Sequence, residues 1–158
     1  MKKNSSGSSY LKALALLRGA SVSGSPAINR FDGYRDDMPE LSERLQRMLN
    51  ILEKERPATS MIFFVMYDIE SNKVRQAVAK YLLAKGCSRV QKSIFLADLP
   101  ADIYRSISQD LAEIQAMYEN NDSILLVPLS TDYINSMKII GQNINLDLIL
   151  KNKTTLFF

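Results

Sequence analysis

An α+β domain built on one small sheet is what this sequence predicts over residues 58–158. Three observations carry that expectation. Met61-Ile62-Phe63-Phe64-Val65-Met66-Tyr67 is an almost unbroken apolar, β-prone run. Two stretches after it, Ser71–Lys85 and Ala101–Glu119, place apolar residues at helical spacing. A second β-prone run follows at Ser123–Leu129, so the order is strand, helix, extended region, helix, strand.

The first run reads as a central strand covered on both faces and bounded by Asp68. In the first helix Val74, Ala77, Val78, Tyr81 and Leu82 form the apolar stripe. Ser71 or Asn72 can cap its start, and Gly86 stops it. From Cys87 to Ala97 the chain is extended. Arg89, Gln91, Ser93 and Phe95 alternate with Val90, Lys92, Ile94 and Leu96, which suggests one polar, working face. Leu99-Pro100 breaks this stretch. The second helix aligns Ile103, Ile107, Leu111, Ile114 and Tyr118, and Asn120-Asn121 closes it. Ile124, Leu125, Leu126 and Val127 then read as another buried strand, stopped at Pro128. Two helices on one small sheet most commonly form the ferredoxin-like split βαβ arrangement. That topology divides the middle extended region into two strands or a bent pair, at a place the pattern does not mark.

Flanking segments complete the chain of 158 residues. Residues 1–57 read as an N-terminal extension. Ser- and Gly-rich sequence makes its first part a polar, flexible leader. Residues 40–55 then read as a helix with Leu41, Leu45, Met48, Leu49 and Leu52 on one face. Asp37 and Glu40 resemble a capping box, Pro39 stands in the first turn, and Pro57 ends the segment. Its stripe can pack on its own domain or dock to a partner. Beyond Leu129, Lys138-Ile139-Ile140-Gly141 can form a short strand. The apolar tail Asn145–Phe158 suits a sheet edge, its own or a neighbour's.

Composition excludes several chemistries. There is no histidine, which removes Ser-His-Asp and Cys-His nucleophiles, paired-histidine RNA cleavage and His-rich metal sites. A single cysteine, Cys87, allows neither an internal disulfide nor a cysteine-built zinc site, which fits a reducing cytoplasm. Phosphodiester cleavage by such a chain would use a hard cation held by carboxylates. Net charge is +3, but it is unevenly spread. Lys73, Arg75, Lys80, Lys85, Arg89 and Lys92 occupy one window without an acid. From Asp98 to Asp147 eight acids face only Arg105 and Lys138. No run approaches the roughly 18 apolar residues a membrane span needs, so no membrane partner is expected. The short run Ala13–Leu17 only faintly imitates a signal sequence, and a cytoplasmic location is expected.

Taken in order, five segments resemble the CRISPR-associated protein 2 family. Phe63-Phe64-Val65-Met66-Tyr67-Asp68-Ile69 resembles its first strand, which ends in an aspartate. Lys73-Val74-Arg75 with Val78-Ala79-Lys80-Tyr81-Leu82 resembles its first helix. Gly86 and Arg89-Val90-Gln91-Lys92-Ser93-Ile94-Phe95 resemble its most recognisable stretch. Asp122-Ser123-Ile124 and Ile139-Ile140-Gly141 also fit. The likeness spans roughly residues 61 to 141. It departs at Leu96, where the family often has an acid, and the N-terminal extension lies outside it.

The resemblance implies a ferredoxin-like subunit in a two-fold homodimer, with a C-terminal strand exchanged between chains. It implies a CRISPR adaptation role, binding duplex DNA and bridging integrase subunits during spacer acquisition. Some members are described as Mg²⁺-dependent nucleases acting on RNA or DNA. Asp68 is then the expected catalytic residue and ligand for Mg²⁺ or another divalent cation, paired across the two-fold axis. Arg75, Lys80, Arg89 and Lys92 are the expected nucleic-acid contacts, and Tyr67, Gln91, Ser93 and Phe95 the supporting residues. Single-stranded RNA is the other substrate class. Two further readings stay open, a purely architectural adapter and a toxin-type ribonuclease of the related virulence-associated fold.

Overall fold

Strand β1, Ser60–Asp68, runs through the middle of a four-stranded antiparallel sheet of order β2-β3-β1-β4. The computed structural model describes residues 38–52, 57–118 and 120–130, with Lys12, Ala15, Glu55, Asp132, Tyr133, Ser136 and Met137. The expectations for the leader, for Asp37, for Lys138–Gly141 and for the tail Asn145–Phe158 lie outside the described residues. Within them the elements are α1 (Leu41–Leu52), β1, α2 (Asn72–Lys85), β2 (Ser88–Gln91), β3 (Ile94–Pro100), α3 (Ala101–Ala116) and β4 (Ser123–Leu129). From β1 onward this is β-α-β-β-α-β, an α+β arrangement compatible with the ferredoxin-like fold.

Side chains alternate across β1, and the two faces meet different neighbours. Phe63, Val65 and Tyr67 point to α2 and α3 and join the main core. There they meet Val74, Val78 and Leu82 from α2, Phe95 and Ala97 from β3, and Ile107, Leu111 and Ile114 from α3. Phe63 meets Tyr104 edge-on, with ring centroids 4.9 Å apart. Ile62 and Phe64 point the other way. Ile62 and Leu96 are buried beneath Leu45 and Met48 of α1, with Val90, Leu129 and Met137 around them. The apolar stripe of α1 therefore packs on the sheet of its own chain. Arg44 fastens it there, donating from Nη1 to the Val90 carbonyl at 2.8 Å and from Nε to the Pro39 carbonyl at 2.9 Å.

Helix α2 ends as its glycine predicts. Gly86 sits at φ 100°, a left-handed conformation that costs other residues a Cβ clash. Its N–H bonds to Leu83 and that of Cys87 to Leu82, which completes a Schellman cap. Ser71 occupies the N-cap position, without a side-chain capping bond.

Several boundaries differ from the sequence expectation. The middle extended region folds back at Lys92-Ser93 into two strands. β3 runs on through Leu99 to Pro100, and α3 starts at the next residue. That is possible because Pro100 is the last strand residue, where a missing N–H costs little. α3 ends at Ala116, short of Glu119. β4 continues past Pro128, which pairs with Phe63, to Leu129. Among the described residues β4 is an edge strand, so Pro128 breaks no ladder on its outer side. The expectation of a buried β4 is corrected: Leu125 is 58% and Val127 36% exposed. Both project to the face that α1 covers only in part. For the same reason β1 is fully covered on one face only.

Candidate functional site

The uncovered end of the second sheet face is a shallow cleft of about 440 Å³. Its apolar floor is Met66, Ile94 and Leu125. Its rim carries Asp68, Gln91, Lys92, Ser93 and Ser123, and Tyr67 also lines it. Asp68 belongs here because it is the last residue of β1 and falls on the same face as Phe64 and Met66. It is exposed, and its register partner on β4 is Ser123.

The hairpin between β2 and β3 forms the opposite wall. Arg89 pairs with Phe95 and Gln91 with Ile94, and the register shifts between them. This bulge breaks the simple alternation expected for the segment. Gln91 and Ser93 consequently do not share a face with Phe95. Phe95 is fully buried in the main core beneath the turn, stacked on Tyr67 with centroids 6.0 Å apart. The turn is tied to β1, since the Tyr67 N–H donates to the Ser93 carbonyl at 3.1 Å.

The loop leaving Asp68 is held from the other side. Asp122 accepts from the Glu70 N–H at 2.9 Å and from the Tyr118 hydroxyl at 2.6 Å. Arg75 sits above the same loop, its Nη1 3.3 Å from the Ile69 carbonyl and its Nη2 3.0 Å from Asn72 Oδ1.

Five of the expected residues thus come together: Asp68, Tyr67, Gln91, Lys92 and Ser93 line one cleft. Arg75 lies beside the Asp68 loop. Lys80 is exposed on α2 and does not line the cleft. Arg89 is directed into the hairpin, its guanidinium carbon 6.0 Å from the Phe95 ring centroid. Lys85, part of the same basic window, faces α3. Its Nζ is 3.6 Å from Asp110 Oδ2 and 3.2 Å from Ser106 Oγ, over the Tyr81 ring. The Tyr81 hydroxyl donates to Asp110, and burial followed by that carboxylate raises its pKa above the ordinary phenol value. This group of side chains clamps α2 to α3. Nearby, Cys87 is fully buried, and burial pushes its thiol up to about 12. At neutral pH it is protonated and poorly nucleophilic.

Ser123 and Asp122 were not singled out as site residues from the sequence. Ser123 is placed beside Asp68 by the β1–β4 register, and Asp122 is held at the following loop by the Glu70 N–H. No histidine, cysteine or acid joins Asp68 in a three-residue cluster able to hold a metal, among the described residues. One chain therefore offers a cation a single carboxylate from this cleft. Among the described residues no helix is long and apolar enough to cross a membrane.

No curated protein matches the chain. Residues 61–137 match the family model described as CRISPR associated protein Cas2. The match begins in β1 and includes Asp68, the hairpin and the cleft, while α1 lies outside it. Over that span the chain is similar to the CRISPR associated protein Cas2 family.

Proposed function

We propose that the chain works in CRISPR spacer acquisition as a nucleic-acid-binding homodimer, joined through the open half of the second sheet face. The observation that carries this reading is the cleft itself. An exposed carboxylate, a lysine, an amide and two hydroxyls ring an uncovered apolar floor. The floor gives a second copy apolar surface to bury, and the rim gives phosphate and a cation polar groups to meet. Duplex DNA and a CRISPR integrase subunit are the partners that the family likeness suggests.

Cleavage follows from the same dimer. Asp68 from each of two copies would hold Mg²⁺ or another divalent cation, which one carboxylate alone holds poorly. Such an ion supplies an activated water and stabilises charge on the scissile phosphate. Lys92, Gln91 and Ser93 would bind and orient the phosphate, and Arg75 and Lys80 would extend the cationic surface along α2. The family match favours this role over a free-standing toxin ribonuclease.

Asp68→Asn tests the cleavage step. Asp68 is exposed at a strand end, so thermal stability and oligomeric state by light scattering stay unchanged. Divalent-dependent cleavage of duplex DNA and of single-stranded RNA falls by at least about 100-fold. Cleavage that persists in the variant removes the nuclease reading. Duplex binding retained alongside lost cleavage keeps the bridging role.

A further inference from the structure

Two-residue hairpin turns ordinarily rely on Asn or Gly for their backbone shape. The β2–β3 turn has Lys92 and Ser93 instead, so its own residues supply neither. Neighbouring side chains hold it. The Lys92 carbonyl accepts from Arg89 Nη2 at 2.8 Å and from Arg89 Nε at 3.2 Å. The Tyr67 hydroxyl reaches the same oxygen at 3.5 Å. The other turn carbonyl, that of Ser93, accepts from the Tyr67 N–H. The Arg89 guanidinium also lies over Phe95, a ring fully buried in the main core. Arg89 is thereby anchored on the core and bonded to the turn.

We propose that Arg89 is a positioning residue for the cleft: it fixes the Lys92-Ser93 turn beside Asp68, and Lys92 makes the phosphate contact. This differs from the sequence expectation, in which Arg89 itself meets phosphate. The proposal rests on the nucleic-acid-binding reading above. A charge-assisted pair of N–H bonds to one carbonyl needs the guanidinium fork, which lysine lacks. Charge alone therefore does not replace Arg89.

Two measurements on the full chain test this. In the first, duplex DNA binding is titrated against salt by fluorescence anisotropy for wild type, Arg89→Ala, Arg89→Lys, Lys92→Ala and the Arg89→Ala/Lys92→Ala double variant. Lys92→Ala lowers the slope of log K against log salt by about 0.9, the signature of one lost phosphate contact. Arg89→Ala and Arg89→Lys each weaken binding, and the double variant has the slope of Lys92→Ala alone. A further drop of about 0.9 in the double variant, or full binding by Arg89→Lys, makes Arg89 a direct contact and overturns the proposal. The second measurement is amide hydrogen exchange without nucleic acid. Both Arg89 variants speed exchange of the Ser93 and Ile94 amides while Lys92→Ala does not, and α2 stays protected in all. Unchanged exchange at the turn also overturns it. If the turn loosens as expected but wild type binds no duplex at low salt, the functional reading falls and the positioning role of Arg89 stands.

Discussion

The two faces of this sheet are made from alternate residues of the same strands, yet they are put to different uses. On one face Phe63, Val65, Tyr67, Phe95 and Ala97 disappear under α2 and α3, in a core where fifteen of the described residues are buried. On the other face four of the described residues are buried, Leu45, Met48, Ile62 and Leu96. There Leu125, which shares the cleft with Asp68, and Val127, further along β4, remain open to solvent. Burial of apolar area is the main stabilising term, so the first face holds the fold together. The second face is free to carry a cleft, because little of the fold's stability depends on closing it.

The sharpest test of this contrast is Phe63→Ala. It removes a fully buried ring and its contact with Tyr104, and costs about 3–5 kcal/mol by denaturant unfolding. Cys87 lies in the same core and is otherwise shielded, so thiol labelling at neutral pH accelerates in step with that loss. An effect below about 1 kcal/mol would mean the first face is not the principal core.

Leu45→Ala acts on the second face and costs about 2 kcal/mol. Hydrogen exchange should show the loss concentrated in α1, with β1 and α2 still protected and Cys87 still unreactive. Uniform loss of protection would show that α1 and the main core unfold as one unit. Smallest is Leu125→Ser, which shifts the unfolding midpoint by less than about 0.5 kcal/mol at dilution, since this side chain is already exposed. The same variant weakens self-association in sedimentation, if the open floor is where two copies meet. Unaltered association would move the proposed interface elsewhere.

Much of this was legible in the sequence because it is local. The apolar run of β1, the stripes of α1, α2 and α3 and the glycine stop of α2 are written in windows of a few turns. Asp68 stood out because a charge closes an apolar strand. The Lys92-Ser93 turn was not legible, because it has neither Asn nor Gly and is held by Arg89 and Tyr67. The exposure of β4 was equally hidden. Its residues are as apolar as those of a buried strand, and those on the second face stay open because α1 reaches only part of that face.

By itself, then, the sequence determined which segments are helix and strand, the exclusion of histidine and disulfide chemistry, and the family likeness. These depend on residue type and short-range spacing. Tertiary structure alone decided that Asp68 shares a cleft with Ser123, Gln91, Lys92 and Ser93, that α1 closes only one end of the second face, and that Lys85 belongs to a helix clamp. Those relations are set by strand register and by the packing of elements distant in the chain, where no local pattern reaches.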